Sequence, residues 1–127
     1  MQIGDSIPVS EFVPYADGSY PLGTTQYEKR GVASNVPEWD VDKCVQCNRC
    51  ALVCPHAVIR PYLLTAEEKA NSPESFKTKK AIGKGLEDYE FRIQISPLDC
   101  YSCTACANTC PAKALTMKPL DTQRHES

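Results

Sequence analysis

The sequence has 127 residues, a formal net charge of -2 and eight cysteines. A chain of this length is expected to form one domain, with room for a short additional arm. The even balance of charge excludes the basic footprint typical of nucleic-acid-binding proteins, and no apolar run approaches the roughly 20 residues of a membrane span. Because residues 1–20 also lack the basic start and apolar run of a secretory signal, we expect a cytoplasmic protein that binds neither nucleic acid nor membrane.

Prolines and glycines interrupt residues 1–37 every few positions, which prevents a regular helix or strand. The segment nevertheless contains apolar side chains such as Phe12, Tyr15 and Tyr20, which disordered tails usually lack. We therefore expect an extended arm that wraps a surface and is held by aromatic anchors. The favoured role is a packed covering layer without chemistry, and the other role is docking against another domain.

The first cysteine motif occupies residues 44–55, after Trp39, which we expect to pack near its loop. Its cysteines are Cys44, Cys47, Cys50 and Cys54. They are separated by two, two and three residues and are followed by Pro55, which is the bacterial iron–sulfur pattern C-x2-C-x2-C-x3-C-P. We expect a short helix over 48–53 to deliver the fourth cysteine, and a β-rich run over 57–62 to follow.

An insert over residues 63–90 separates the two halves of the chain. Thr65 and Glu68 have the spacing of a capping box, which predicts a short helix that ends near Asn71. Four lysines come next: Lys77, Lys79, Lys80 and Lys84. They form either a solvated basic face, which is the favoured interpretation, or a patch that steers an acidic carrier protein by charge.

Residues 89–95 alternate apolar and polar, which predicts a half-buried strand. Its inward side chains are expected to be Tyr89, Phe91, Ile93 and Ile95. The second cysteine motif then follows, with each cysteine and the proline 56 positions after its equivalent. Its cysteines are Cys100, Cys103, Cys106 and Cys110. A second short helix over 104–109, a closing strand over 114–117 and a polar tail over 121–127 complete the chain.

The two motifs form an internal repeat that uses all eight cysteines. In two-cluster proteins of this pattern, the fourth cysteine of each motif binds the other cluster. The ligands predicted for the first [4Fe–4S] cluster are Cys44, Cys47, Cys50 and Cys110. The ligands predicted for the second [4Fe–4S] cluster are Cys100, Cys103, Cys106 and Cys54.

Other chemistries fit the cysteines less well. Zinc usually takes two separated pairs of cysteines rather than three from one loop. Nucleophilic catalysis would require a cysteine outside the two motifs, so no catalytic residue is predicted. The residues between the cysteines are more polar in the second motif than in the first, from which we expect unequal reduction potentials, with the second cluster the higher.

Residues 39–119 closely resemble the two-cluster ferredoxin domain of pyruvate:ferredoxin (flavodoxin) oxidoreductases. Segments that carry the resemblance are residues 37–40, 44–61, 91–100 and 117–120, and in the arm residues 8–10, 23–25 and 27–31. The long insert is characteristic of that family, whereas small free ferredoxins have a much shorter one.

The resemblance implies an α+β, bacterial two-[4Fe–4S] ferredoxin-like fold with a pseudo-twofold repeat, short helices and small antiparallel strands. Its expected units are an extended arm over 1–37, a two-cluster domain over 38–120 with an inserted helical segment over 63–90, and the tail over 121–127.

The resemblance also implies a function. The domain would pass electrons from pyruvate oxidation to ferredoxin or flavodoxin, with the remaining domains of the oxidoreductase as partners. Because the chain has no thiamine diphosphate region, third cluster set or pyruvate site, we expect no catalysis from it alone and interpret it as a domain excised from a longer chain. The alternative is a free-standing two-cluster ferredoxin that carries electrons between separate enzymes.

Overall fold

The computed structural model describes residues 4–124, apart from the side chain of Thr25. Its strands are β1 (Asn35–Trp39), β2 (Ile59–Leu64), β3 (Lys79–Lys80), β4 (Glu90–Ile95) and β5 (Leu115–Pro119). Its α-helices are α1 (Arg49–Val53), α2 (Ala66–Ala70) and α3 (Ala105–Thr109). Short 3-10 helices cover Gly4–Ser6, Val9–Tyr15, Thr24–Tyr27, Pro97–Asp99 and Leu120–Thr122. Within residues 4–124, none of the helices combines the length and the apolar character needed to cross a bilayer.

Two small antiparallel sheets form the framework. One pairs β1 with β5, and the other has the order β2-β4-β3. Pro37 in β1 and Pro61 in β2 both lie on strands with a free edge, where a residue without an N–H group costs no ladder hydrogen bond. The small α+β architecture expected from the sequence is therefore confirmed.

The elements of the two halves recur at the 56-residue offset of the cysteine motifs. Helix α1 precedes α3 by this offset, and each sheet joins a strand from one half to a strand from the other. The register follows the same offset, since Trp39 pairs with Leu115 while Ile95 pairs with Ile59. Each half therefore completes its sheet with a strand from the other half.

The core lies between the two sheets and the cysteine loops. Its fully buried side chains include Val36 and Ile93, and the cysteines Cys100 and Cys106 are also buried within it. Three further cysteines pack against this core while half-buried: Cys44, Cys50 and Cys54. Because thiols replace aliphatic side chains at these positions, the core and the cysteine motifs are built from the same residues.

The arm differs from the expected wrapping layer. Its described residues form 3-10 turns rather than an extended run, and β1 already begins at Asn35, inside the expected arm. Most of its apolar side chains are exposed, including Leu22 at 100% and Tyr27 at 83%. Tyr15 and Tyr20 stack on each other. The arm's aromatic side chains are therefore mostly not packed on this domain, and which surface they cover stays a prediction.

The arm joins the domain near its end instead. The backbone N–H of Gly31 donates to the carbonyl of Leu98 at 2.9 Å, and Lys29 forms an ion pair with Asp99. Gly31 has φ of +59°, and an added Cβ would lie 3.3 Å from the side chain of Leu98. A glycine therefore permits both the backbone turn and the close approach at this joint.

The insert contains one short helix and one short strand. Thr65 and Glu68 form the expected capping box at the start of α2, which ends one residue before Asn71. The sequence did not indicate that Lys79 and Lys80 would pair with β4 as strand β3. The inserted segment is thus largely irregular, and it covers one face of β4.

The burial of residues 89–95 differs from the expectation at two positions, Tyr89 and Arg92. Phe91, Ile93 and Ile95 are buried as expected, whereas Tyr89 is 37% exposed. Arg92, on the opposite face, is buried at 3% exposure. Alternation predicts only one buried face, so a strand whose second face is covered by the insert departs from the pattern.

Arg92 fastens the insert to the core. Its guanidinium lies 3.9 Å from the ring centroid of Phe76 and 5.9 Å from that of Trp39. It donates to the carbonyl of Lys77 at 2.9 Å and to the side chain of Gln94 at 2.8 Å. These contacts satisfy a buried cation, as a desolvated guanidinium requires.

Replacing Arg92 with Leu is expected to lower the free energy of unfolding by about 2 kcal/mol, because it removes the cation–π contacts and leaves the Lys77 carbonyl and the Gln94 side chain without this donor. Urea unfolding followed by circular dichroism measures the effect. Arg49→Leu is the matched control, since Arg49 is exposed and should cost less than about 0.5 kcal/mol. Equal losses in the two variants would show that Arg92 has no special structural role.

Candidate iron–sulfur sites

Left-handed backbone residues shape each cysteine loop. In the first loop, Gln46 and Asn48 have φ of +57°. In the second, Ser102 and Thr104 have φ of +59° and +63°. Such values are uncommon outside glycine. Their recurrence at a 56-residue offset shows that the same sharp turns direct the cysteines of both motifs toward one side of the loop.

The fourth cysteine of each motif follows a short helix. Cys54 lies at the C-terminal end of α1, and Cys110 lies at the C-terminal end of α3. Both have extended backbone, so the helix ends there as expected from the proline that follows. Helices α1 and α3 pack against each other, and this packing carries each fourth cysteine into the other half.

Four cysteines enclose the first cavity: Cys44, Cys47, Cys50 and Cys110. Its other walls include Trp39, Asn48, Ile93 and Leu115. Three of these cysteines come from the first motif and the fourth comes from the second motif. Trp39 lies beside this cavity, as the sequence predicted.

Four cysteines also line the second cavity: Cys54, Cys100, Cys103 and Cys106. Its other walls include His56, Tyr101, Thr104 and Ile59. The structure thus brings the fourth cysteine of each motif beside the first three cysteines of the other. This is the grouping expected from the sequence, although which cysteine binds which iron stays a prediction.

Burial strongly disfavours free thiolates in both cavities. It raises the pKa of Cys50 to about 11, with the neighbouring Cys44, Cys47 and Cys110 adding to the rise. It likewise raises the pKa of Cys106 to about 11, with Cys100, Cys103 and Cys54 contributing. Four thiolates can share such a space only when cations among them offset their charge, which is what the irons of a cluster provide.

Hydrogen-bond donors also point to a bound sulfur-rich group. The backbone N–H groups of Gln46 and Ser102 each donate to the sulfur of the first cysteine in their motif, at 3.4 Å. The N–H of Ala114 donates to Cys110 Sγ at 3.2 Å. Within residues 4–124, the buried Nε1–H of Trp39 has no acceptor, although Trp39 lines the first cavity. Donors around thiolates are the environment that iron–sulfur clusters need, so the residues fit such a cluster.

The spacing of the side chains bears on zinc as well. In the described part of the chain, no three His, Cys, Asp or Glu side chains are grouped closely enough to share a single metal ion. A tetrahedral zinc site would place its sulfurs about 3.8 Å apart. In a cluster each thiolate binds a different iron, so its ligands need not share one metal ion.

Segments outside the repeat hold each loop in place. Lys79 of the insert donates to the carbonyls of Cys44 at 2.8 Å and Asp42 at 3.4 Å. The Gln46 side chain donates to the Lys80 carbonyl at 2.6 Å and accepts from the N–H of Ile82 at 2.9 Å. The insert therefore braces the first loop, while the arm braces the second through Asp99.

Sequence reasoning missed these supports. The sequence places Lys79 with its neighbours in a solvated face or a docking patch. In the structure its ammonium donates a hydrogen bond to the carbonyl of Cys44 in the first cysteine loop. No local signal distinguishes it from Lys77 or Lys80, because the contact joins positions 35 residues apart. His56 stacks on Tyr101 with the ring centroids 4.1 Å apart.

Comparison with known proteins supports this site. Residues 43–114 match the family model described as a 4Fe-4S dicluster domain. Residues 1–33 match a second model, EKR, described as a domain of unknown function. The first match covers more than half of the chain and includes both cysteine motifs.

Curated relatives extend the similarity along nearly the whole chain. A pyruvate:ferredoxin oxidoreductase from Moorella thermoacetica is 58% identical over 120 residues, which are 93% of this chain and 10% of that protein. A pyruvate-flavodoxin oxidoreductase from Enterobacter agglomerans is 55% identical over 127 residues, which are 98% of this chain and 11% of that protein. The Cryptosporidium parvum protein named pyruvate dehydrogenase [NADP(+)] is 51% identical over 118 residues. The chain thus spans about a tenth of the length of the first two relatives.

Proposed function

Because the chain belongs to the family of 4Fe-4S dicluster domains and binds two [4Fe–4S] clusters, we propose that it transfers electrons as the ferredoxin domain of a pyruvate:ferredoxin or pyruvate:flavodoxin oxidoreductase. A [4Fe–4S] cluster supplies reversible one-electron chemistry. The chain itself contributes thiolate ligands, backbone donors and a core that limits access of water. It has no catalytic role in this proposal.

One observation carries the proposal, namely two four-cysteine cavities joined through the packed helices α1 and α3. Each cavity also reaches the surface, because Cys47 in the first and Cys103 in the second are exposed. Two adjoining sites that both open to solvent give electrons an entrance and an exit. A structural metal site would gain nothing from such exposure.

We also propose the ligand sets, in which each fourth cysteine crosses to the other motif. The first set is Cys44, Cys47, Cys50 and Cys110, and the second is Cys54, Cys100, Cys103 and Cys106. The cavity linings and the 56-residue offset of backbone, strands and register support this assignment and a pseudo-twofold repeat.

The partners proposed for the chain are the remaining domains of the oxidoreductase, with ferredoxin or flavodoxin as acceptor. The exposed apolar side chains of the arm, such as Leu22 and Tyr27, support docking of the arm against those domains rather than coverage of this one. A cytoplasmic location agrees with eight cysteines that form no disulfide.

Adding the chain to a parent oxidoreductase that lacks the equivalent region is expected to restore pyruvate-dependent reduction of ferredoxin or flavodoxin. Leu22→Asp and Tyr27→Asp should weaken this rescue at least tenfold, because a charge in an apolar interface costs more than about 1.4 kcal/mol. The measurement is the rate of acceptor reduction as a function of added chain. Ser10→Asp is the matched control, since it adds the same charge at an exposed polar position of the arm.

The same assay separates the alternative. A free-standing ferredoxin would exchange electrons with several reductases, and its rate would not respond to the arm variants. Absence of rescue, combined with efficient reduction by unrelated ferredoxin-dependent enzymes, would support that carrier and contradict a role within the oxidoreductase.

A further inference from the structure

The two cavities differ in the charged and polar groups that surround them. Lys79 places its ammonium 2.8 Å from the carbonyl of Cys44, the first cysteine at the first cavity. Lys79 is half-buried, and no carboxylate in the described part of the chain forms an ion pair with it. Within residues 4–124, its positive charge beside the first cysteine loop is therefore not neutralised by a carboxylate at salt-bridge distance.

Two more groups add positive character on the same side. Trp39 lines the first cavity, and its buried Nε1–H has no acceptor within residues 4–124. The buried guanidinium of Arg92 lies 5.9 Å from the centroid of the Trp39 ring. A buried cation interacts with a nearby charge more strongly than an exposed one, because less water screens it.

The equivalent positions at the second cavity lack these groups. The residue 56 positions after Trp39 is Ile95, and the residue 56 positions before Arg92 is Val36; both are apolar and buried. Two cations near the second loop are both paired with carboxylates: Lys29 with Asp99, which directly precedes Cys100, and Arg30 with Glu28. The repeat is thus symmetric in its backbone and asymmetric in its charge.

We propose that Lys79 and Trp39 are positioning residues that raise the reduction potential of the cluster held by Cys44, Cys47, Cys50 and Cys110 above that of the other cluster. This inference rests on the ligand assignment proposed above. Reduction adds one negative charge to a cluster, so an unneutralised cation and an N–H donor at the first cavity stabilise the reduced form. The two clusters therefore have different reduction potentials, and the first cluster is reduced before the second.

This order is the reverse of that expected from the sequence. That expectation relied on polar residues in the second motif. In the structure, Asn108 donates its side-chain N–H to the hydroxyl of Thr104 at 3.2 Å, and both side chains are exposed. Thr104 lines the second cavity, but its hydroxyl is engaged by Asn108, whereas Trp39 lines the first cavity and Lys79 donates to the carbonyl of Cys44 in the first loop.

An EPR-monitored redox titration of the whole chain with both clusters bound tests the proposal. In the unaltered chain we expect two one-electron waves. Lys79→Met should lower the midpoint potential of the higher wave. At a fixed potential, the ratio of reduced to oxidised cluster should then fall about tenfold, which corresponds to 59 mV for one electron. Trp39→Phe keeps an aromatic ring but removes the N–H group. It should lower the midpoint potential of the same wave, so that the ratio of reduced to oxidised cluster falls about threefold.

Two controls separate charge from structure. Lys79→Arg keeps the cation and should leave the higher wave near its original position. Lys84→Met removes an exposed lysine from the same insert, where solvent screens its charge, and should shift neither wave.

A shift of the lower wave alone, equal shifts of both waves, or no shift in Lys79→Met would each overturn the proposal. Failure of the proposed function looks different. A chain without paired clusters would show no two-wave titration, whereas a free-standing carrier would still show both waves and their response to Lys79.

Discussion

A Cys110→Ser variant is expected to lose the cluster of the first motif, although Cys110 belongs to the second motif. Cys110 lines the cavity of Cys44, Cys47 and Cys50. Removing one of four thiolates leaves one iron without its protein ligand in a largely buried site, and such a cluster is readily lost. We expect the iron content to fall by about four atoms per chain, half of the total.

Double variants reveal which cysteines share a cluster. If Cys44 and Cys110 bind the same cluster, Cys44→Ser with Cys110→Ser should lose no more iron than either single variant. Cys100→Ser with Cys110→Ser should instead lose about all eight irons, because each substitution disables a different site. Iron and sulfide analysis, together with the visible absorbance of the clusters, measures both outcomes.

The opposite pattern would contradict the crossed assignment. Retention of one cluster in the Cys100/Cys110 double variant, together with loss of both in the Cys44/Cys110 double variant, would mean that each motif supplies all four ligands of its own cluster. Cys54→Ser provides the symmetric test. It should behave like Cys100→Ser rather than like its own motif partners.

Chelation of the iron is expected to unfold most of the chain. Cys100 and Cys106 are buried in the core, and three other cysteines pack against it. The α-helices have only five residues each and cannot persist without tertiary support. Structural metals contribute about 10–16 kcal/mol to folding in small zinc domains, which matches or exceeds the roughly 5–15 kcal/mol stability of a typical domain.

Circular dichroism and thermal melting before and after removal of iron by a strong chelator measure this effect. We expect the cooperative melting transition to disappear and the strand signal to fall. Reconstitution with iron and sulfide under reducing conditions is the control, and should restore both. An iron-free chain that still melts cooperatively would show that the two sheets and the remaining core are sufficient for folding.

The cysteine motifs themselves could be identified from the sequence because cluster binding depends on local spacing. Three cysteines separated by two residues must share one loop, and the proline after the fourth must end the helix that carries it. The helices over residues 48–53 and 104–109, the capping box at Thr65 and the strand over residues 89–95 followed from equally local patterns. Each of these predictions was confirmed within one or two residues.

Contacts between distant parts of the chain required the tertiary structure. Burial of Arg92 depends on Phe76 and Trp39, which approach it from different segments. Most apolar side chains of the arm are likewise exposed on this domain, and composition alone does not report which surface they cover. Local patterns report which face of an element is apolar, but they do not report what covers it.

The sequence by itself determined the chemistry of this protein: two sets of thiolates, repeated at 56 positions, suited to two [4Fe–4S] clusters. Only the tertiary structure decided how the two sites differ. The symmetric loops are braced by unrelated segments, with Lys79 of the insert at the first and the Lys29–Asp99 pair at the second. The physical reason is that ligand spacing is a short-range property of the backbone, whereas the electrostatic environment of a cluster is set by charges that the fold brings together from afar.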